Sequence, residues 1–301
     1  MMCLNKTLNK VNTPILTWGN PFEANGKEVI FCVTGNPGIS DFYIEFAEEM
    51  HKTLNLPVIV VGQAGHEFSL DNDAITEKNK DLYNLQGQLK HKLDLIENYV
   101  DKKSKFHFIG HSIGSWMIVE LLHNNNDILN RVSTVNLLFP TLQNMAETKN
   151  GRFINGFVRR MHCVILFLCQ ILSLFPNFLI NFLLNIYLML HSLPLFYNER
   201  IKKVIDPRIL EKVFFLAFDE MDNVRSLNNE AIHKITKMCN VIYSCFDGWA
   251  PLDYMAELKK QHPHLRMVEA ADVAHSFVLK SSQIVAEMVS NHIKEQKSSA
   301  Q

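Results

Sequence analysis

Apolar and polar positions follow two rhythms along this chain. Short, almost unbroken apolar runs stand just before turn residues: "EVIFCVTGNPG" (28–38), "PVIVVGQAG" (57–65), "KFHFIG" (105–110), "VSTVNLLFP" (132–140), "NVIYSCFDG" (240–248) and "LRMVEAADVAH" (265–275). Runs of that length predict strands buried on both faces, as in a parallel sheet. Between several of them lie amphipathic stretches: "FYIEFAEEMHKTLN" (42–55), "LYNLQGQLKHKLDLIENYV" (82–100) and "SQIVAEMVSNHIKEQ" (282–296). These predict helices. Strands alternating with helices predict an α/β chain with a mostly parallel, doubly wound sheet. Its ligand site should lie beyond the carboxyl ends of the strands.

The alternation stops near residue 140 and resumes near 240. Residues 141–235 are therefore expected to be a helical insertion, a lid within a single domain spanning 1–301. Part of it breaks the globular pattern. From Met161 to Asn198 there is no Asp, Glu, Lys or Arg. Pro176 divides the stretch. The first half, as helix, is about 22 Å long, short of a bilayer core of about 30 Å. The second half could just span, but Asn177, Asn181 and Asn185 put a narrow polar stripe on it. The expectation is an apolar hairpin, 161–196, that enters one leaflet or a monolayer and returns. Arg159, Arg160, Arg200, Lys202 and Lys203 would then face lipid phosphates on one side. The competing expectation is a lid whose apolar faces pack on the domain.

Composition narrows the classes. The 301 residues are 47% hydrophobic and 20% charged, which fits a globular chain with a large core. Thirty basic and 31 acidic residues give a net charge of −1, so nothing points to nucleic acid. The six cysteines have no CxxC spacing, and neither a metal site nor a cofactor is expected. The N-terminus, "MMCLNKTLNKVNTPILTWGN", lacks a signal peptide's apolar run, which implies free thiols and a cytosol-facing protein.

The chemistry is concentrated in "KFHFIGHSIGS" (105–115). Gly110 and Gly114 flank Ser112, and no other pair of the 12 glycines stands four apart. A strand leads in and an apolar helix leads out to "HNNN". Such an abrupt turn strains the serine backbone, and glycine on each side removes a clashing Cβ. The turn aims the hydroxyl outward over a helix N-terminus. A serine hydroxyl needs a base, and the base an orienting acid, in the chain order Ser, Asp, His. His275 follows the last apolar run and is the candidate base. Asp247 ends the penultimate run and is favoured as the acid over Asp253, Asp272, Asp219 and Asp222. His111 should point away from the line of attack, and His107 should be a strand residue.

Attack on an ester leaves negative charge on the carbonyl oxygen, which two backbone N–H groups usually receive. Ile113 should give one. "TGNPGIS" should give the other. Pro37 has no N–H, so Asn36 is the candidate, with Gly35 permitting close approach. On this reading the Asn36 side chain has no part in turnover.

"TGNPGISDFYIEFA", "DLYNLQGQLKHKL", "FIGHSIGS", "LLFPTLQNMAETKNGR" and "SCFDGWAP" together resemble the lipid droplet-associated hydrolases of the α/β-hydrolase superfamily, from about residue 28 to 280. The resemblance implies Ser112, Asp247 and His275 as a catalytic triad. It also implies a serine lipid hydrolase with weak sterol-ester activity on lipid droplets and the endoplasmic reticulum. Thr34 departs from the proline or histidine expected before "GNPG". The alternative is a non-enzymatic protein that organises or tethers the droplet surface on a hydrolase scaffold.

Overall fold

A computed structural model describes residues 1–68 and 74–299. Eight strands form one sheet: β1 (Met2–Leu8), β2 (Val11–Trp18), β3 (Val29–Val33), β4 (Val58–Val61), β5 (Phe106–His111), β6 (Val132–Leu138), β7 (Cys239–Tyr243) and β8 (Arg266–Glu269), in the order β1-β2-β4-β3-β5-β6-β7-β8. The six strands from β3 to β8 are mutually parallel and coincide with the six apolar runs. Order reverses after β4, so the strands switch direction of progress beside β3 and β5, where a doubly wound sheet opens a crevice.

The hairpin β1–β2 is an addition to the expected sheet. It pairs antiparallel, and β2 pairs antiparallel with β4. Its polar residues alternate along an edge, so no apolar run announces it. Pro14 stands one residue outside the β2–β4 ladder, which spans Ile15 to Trp18 and so does not need its missing N–H.

Helices cover both faces. The main ones are α1 (Ile44–Leu54), α2 (Leu85–Asn98), α3 (Ile113–Asn124), α4 (Arg159–Leu172), α5 (Asn177–Leu190), α6 (Tyr197–Val204), α7 (Pro207–Asn223), α8 (Leu252–Gln261) and α9 (Ser282–Ser299). Two buried apolar clusters, one on each side of the sheet, form the core. Phe31, Phe106 and Phe108 lie in one; Phe46, Phe139 and Phe277 lie in the other. Burying side chains of this size stabilises the fold by roughly 1.5–3 kcal/mol each.

The segment between β6 and β7 is largely helical. The helical run into α4 begins earlier than its apolar residues suggest, at Lys149. Lys149–Leu172 is long and apolar enough to cross a membrane by length and composition. One side of it nevertheless packs on the domain: Ile165, Leu166 and Cys169 meet Ile209, Leu210, Val213 and Phe214 of α7. On α5 two of the three stripe asparagines, Asn181 and Asn185, face protein, while Asn177 is exposed. Asn198 Nδ2 donates to the Asn181 carbonyl (3.0 Å) and to Asn185 Oδ1 (2.7 Å).

The flanking basic side chains differ from expectation. Arg159 pairs with Asp222, Arg200 with Glu45 through two bonds, Lys202 with Glu199, and Lys203 with Asp41. Four of the five are thus held by carboxylates of the protein itself.

Candidate active site

Ser112 is the single residue between β5 and α3. Its φ is +54° and its ψ −124°, a conformation side chains rarely adopt. The flanking glycines explain how the turn closes. A Cβ on Gly110 would lie 2.6 Å from Ser115 Cα, and one on Gly114 would lie 2.5 Å from the Val33 carbonyl oxygen. The Ser112 N–H donates to the Leu138 carbonyl at 2.9 Å, which fixes the turn to β6.

His275 and Asp247 converge on this serine from loops after β8 and β7. His275 Nε2 lies 3.0 Å from Ser112 Oγ, and His275 Nδ1 lies 2.7 Å from Asp247 Oδ2. An ionised carboxylate only accepts, so Nδ1 carries the proton and Nε2 offers its lone pair to the serine. The other oxygen, Asp247 Oδ1, accepts from the Trp249 and Ala250 N–H groups at 2.7 and 3.1 Å. The remaining acids are placed elsewhere. Asp253 lies in the first turn of α8, Asp272 has φ +59°, Asp219 caps Leu85, and Asp222 holds Arg159. His107 is a buried residue of β5, bonded to Thr134 Oγ1 at 2.9 Å.

The loop after β3 borders the serine. A Cβ on Gly35 would come within 3.1 Å of both Ser112 Cβ and His111 Nδ1, so glycine lets the loop lie against the turn. Asn36 and Ser112 line one cavity of about 390 Å3. Its walls are mostly apolar, among them Phe42, Met145, Ile154, Val213 and Phe214. Ile113 is the first residue of α3, where a helix leaves its N–H without an internal acceptor.

Several residues that sequence reasoning missed hold this loop. The Gly35 N–H donates to Tyr43 Oη (2.9 Å), Tyr43 Oη lies 2.6 Å from His111 Nδ1, and His111 Nε2 lies 2.9 Å from the His275 carbonyl. The donors form one direction of travel: N–H to phenol, phenol to Nδ1, Nε2–H to carbonyl. His111 thus ties the loop to the backbone of the base and lines the same cavity as Ser112. Burial, aided by the nearby His275, pushes His111 down to about 3, so it is neutral. Gln63 Nε2 donates to the Thr34 carbonyl (2.7 Å), and Gly38 N–H to His66 Nδ1 (3.0 Å). Lys92 Nζ, fully buried, donates to Gln63 Oε1 and Gln88 Oε1 at 2.6 and 2.9 Å. Burial pushes its pKa well below the usual lysine range. These contacts give the "YNLQGQLKHK" stretch its place in the site. The only signal for them in the chain is a lysine and glutamines on the apolar side of an amphipathic helix.

This arrangement can raise the nucleophilicity of a serine hydroxyl beside an apolar cavity. Comparison with known proteins agrees in kind. A family profile described as "Lipid-droplet associated hydrolase" matches residues 26–278. A lipid droplet-associated hydrolase of Drosophila melanogaster is 37% identical over 298 residues, covering 95% of this chain and 97% of that protein. The Rattus norvegicus protein of the same name is 29% identical over 294 residues, covering 92% and 89%. A solved meta-cleavage product hydrolase superposes with a TM-score of 0.67 over 97% of this chain and 98% of its own, at 13% identity, a likeness of fold alone. On the profile match and the identity across nearly its whole length, the chain belongs to the lipid droplet-associated hydrolase family, with an α/β-hydrolase fold.

Proposed function

We propose that this protein is a serine ester hydrolase of neutral lipids, with sterol esters or related neutral-lipid esters as substrate class. Ser112 is its nucleophile, His275 its base and Asp247 the acid that orients the base. The reading rests on one observation: the hydrogen-bonded line from Asp247 through His275 to Ser112 ends at the mouth of an apolar cavity. Ser112 Oγ attacks the ester carbonyl as its proton passes to His275 Nε2. The Nδ1–H stays on the imidazole and is donated to Asp247, whose carboxylate stabilises the imidazolium. The backbone N–H groups of Asn36 and Ile113 receive the oxyanion. His275 returns the proton to the departing alcohol, and water, activated by the same histidine, releases the acid.

Residues 141–235 act as the lid, and the apolar surface of 161–196 docks it on the lipid droplet monolayer and the endoplasmic reticulum from the cytosolic side. The exposed side chains that support this include Leu174, Phe178 and Leu190, at 80%, 75% and 77% exposure. Single exposed apolar residues are ordinary; a continuous surface of them is not. The same surface, taken without the cavity, would suit a protein that only organises the droplet surface.

A fluorophosphonate probe separates the two. The wild type should label and should release fatty acid from a lipid extract. Ser112→Ala should do neither while keeping its fold by circular dichroism. A well-folded wild type that does not label would sink the enzyme reading.

A further inference from the structure

Glu220 is the one carboxyl among the described residues that line the cavity. It stands on α7 in register with Val213 and Ala217, at 3% exposure. Sequence spacing alone placed no role there. Its Oε1 accepts from Asn36 Nδ2 at 2.9 Å, and the second N–H of that amide reaches the Val213 carbonyl at 3.2 Å. The Asn36 side chain, expected to be idle, therefore ties the loop beside Ser112 to α7. One atom of the pair is left over: Asn36 Oδ1 is buried and finds no donor among the described residues. A buried amide oxygen without a donor is costly. An ionised Glu220 has none to give; a carboxylic acid has one.

We propose that Glu220 is a positioning residue: as a carboxylic acid it pairs with both ends of the Asn36 amide, accepting from Nδ2 and donating to Oδ1, and so fixes the loop whose backbone N–H receives the oxyanion. The inference rests on the hydrolase reading for the loop's task, but the pair itself can be read without turnover. Burial pushes the Glu220 carboxyl up to about 8, against the pull of the Asn36 amide and with a further push from Asp219. Of the charged groups near it, Asp219 is capped by the Leu85 N–H and Asp222 is paired with Arg159. Glu147 lies on the turn that packs against α7. Tyr43, His111 and His275 share the cavity, and burial keeps Tyr43 protonated and His111 neutral.

Three proteins test this: wild type, Glu220→Gln and Glu220→Leu. Glutamine keeps an acceptor for Nδ2 and supplies a donor to Oδ1 at every pH. On a short-chain p-nitrophenyl ester, wild-type kcat should fall as pH rises from 7 to 9, with KM little changed. Glu220→Gln should stay within about threefold of wild type at pH 7 and lack that fall. Glu220→Leu should lose roughly 10- to 100-fold in kcat at all pH values, as expected for a misplaced oxyanion donor. Thermal unfolding reads the pair independently. A carboxyl whose pKa is higher in the folded than in the unfolded state binds the extra proton when folded. Stability should therefore fall as pH rises from about 5 to about 8 in wild type, and this slope should shrink in Glu220→Gln. An identical pH fall in Glu220→Gln, or full kcat in Glu220→Leu, would overturn the proposal. An inactive wild type with the expected stability slope would sink the hydrolase reading and leave the pairing supported.

Discussion

Asp247 has two oxygens and two tasks. Oδ1 closes the turn to Trp249 and Ala250, and Oδ2 holds the Nδ1–H of His275. Asparagine can keep the first task, because its carbonyl still accepts both N–H groups. It cannot keep the second. Its amide N–H groups face Nδ1, which must then accept, and the imidazole proton moves to Nε2, toward Ser112. Asp247→Asn should lower kcat by about 10⁴-fold while leaving the midpoint of urea unfolding nearly unchanged. A mild Asp247→Asn beside a severe Asp272→Asn would move the acid to the other position. The three residues in this line were legible because each belongs to a distinct place in the chain order: a Gly-flanked serine, a strand-ending aspartate, a histidine after the last strand. Tyr43 and Glu220 were not. Asn36 meets Glu220 across 184 residues, and nothing local to either marks the meeting. Glu220 reads as one more acid in "FDEMDN", and only the apolar register of α7 turns it toward the cavity.

At the scale of elements, the turn at Ser112 depends on how closely β3, β5 and α3 approach. Gly114 has backbone for a neighbour, and backbone cannot step aside as a flexible side chain can. Gly114→Ala should destabilise the fold by about 1–3 kcal/mol, or prevent folding. Gly156 offers the control. It sits in the helical turn Ile154–Val158, and a Cβ there meets nothing within 4 Å among the described residues. Gly156→Ala should stabilise by about 0.5–1 kcal/mol through the unfolded chain's lost freedom. Urea unfolding of the two variants reads both, and equal signs would contradict the close-approach argument. The same physics separates the elements that were legible from those that were not. Strands β3 to β8 are predicted by their apolar runs because parallel strands buried on both faces have little use for polar residues. Hairpin β1–β2 is not, since an edge can keep asparagine, lysine and threonine on its open face. The start of the long helix at Lys149 was hidden by Arg152, Arg159 and Arg160, which break the apolar window though not the helix.

At the scale of the molecule, α4 and α5 are apolar on their outward sides as well as where they pack on the domain. Asn185 of the α5 stripe is bonded to Asn198 on α6, and the outward side carries Phe178, Phe182, Leu183, Ile186, Met189 and Leu190. On α4, Leu166 packs toward α7, while Phe167 and Leu168 face out. In water this distribution wastes the apolar surface; against lipid it is the expected one. Neither helix needs to span. Arg159 at the start of α4 and Arg200 and Lys203 after α5 are all tied back to the domain's own carboxylates, as an entry and exit on one side of a lipid surface would require. Leu166→Lys would disturb packing on α7. Phe167→Lys and Phe182→Lys put the charges on the outward faces, at side chains that are 61% and 59% exposed. Each should cost roughly 2–3 kcal/mol at membrane depth, and the pair together roughly three orders of magnitude or more in partitioning. Flotation with triolein droplets coated in phosphatidylcholine should carry the wild type and Ser112→Ala to the top. The double lysine variant, with an unchanged melting temperature, should stay below, and should still label with a fluorophosphonate in solution. A folded double variant that floats like the wild type would mean that this surface is not what meets the lipid.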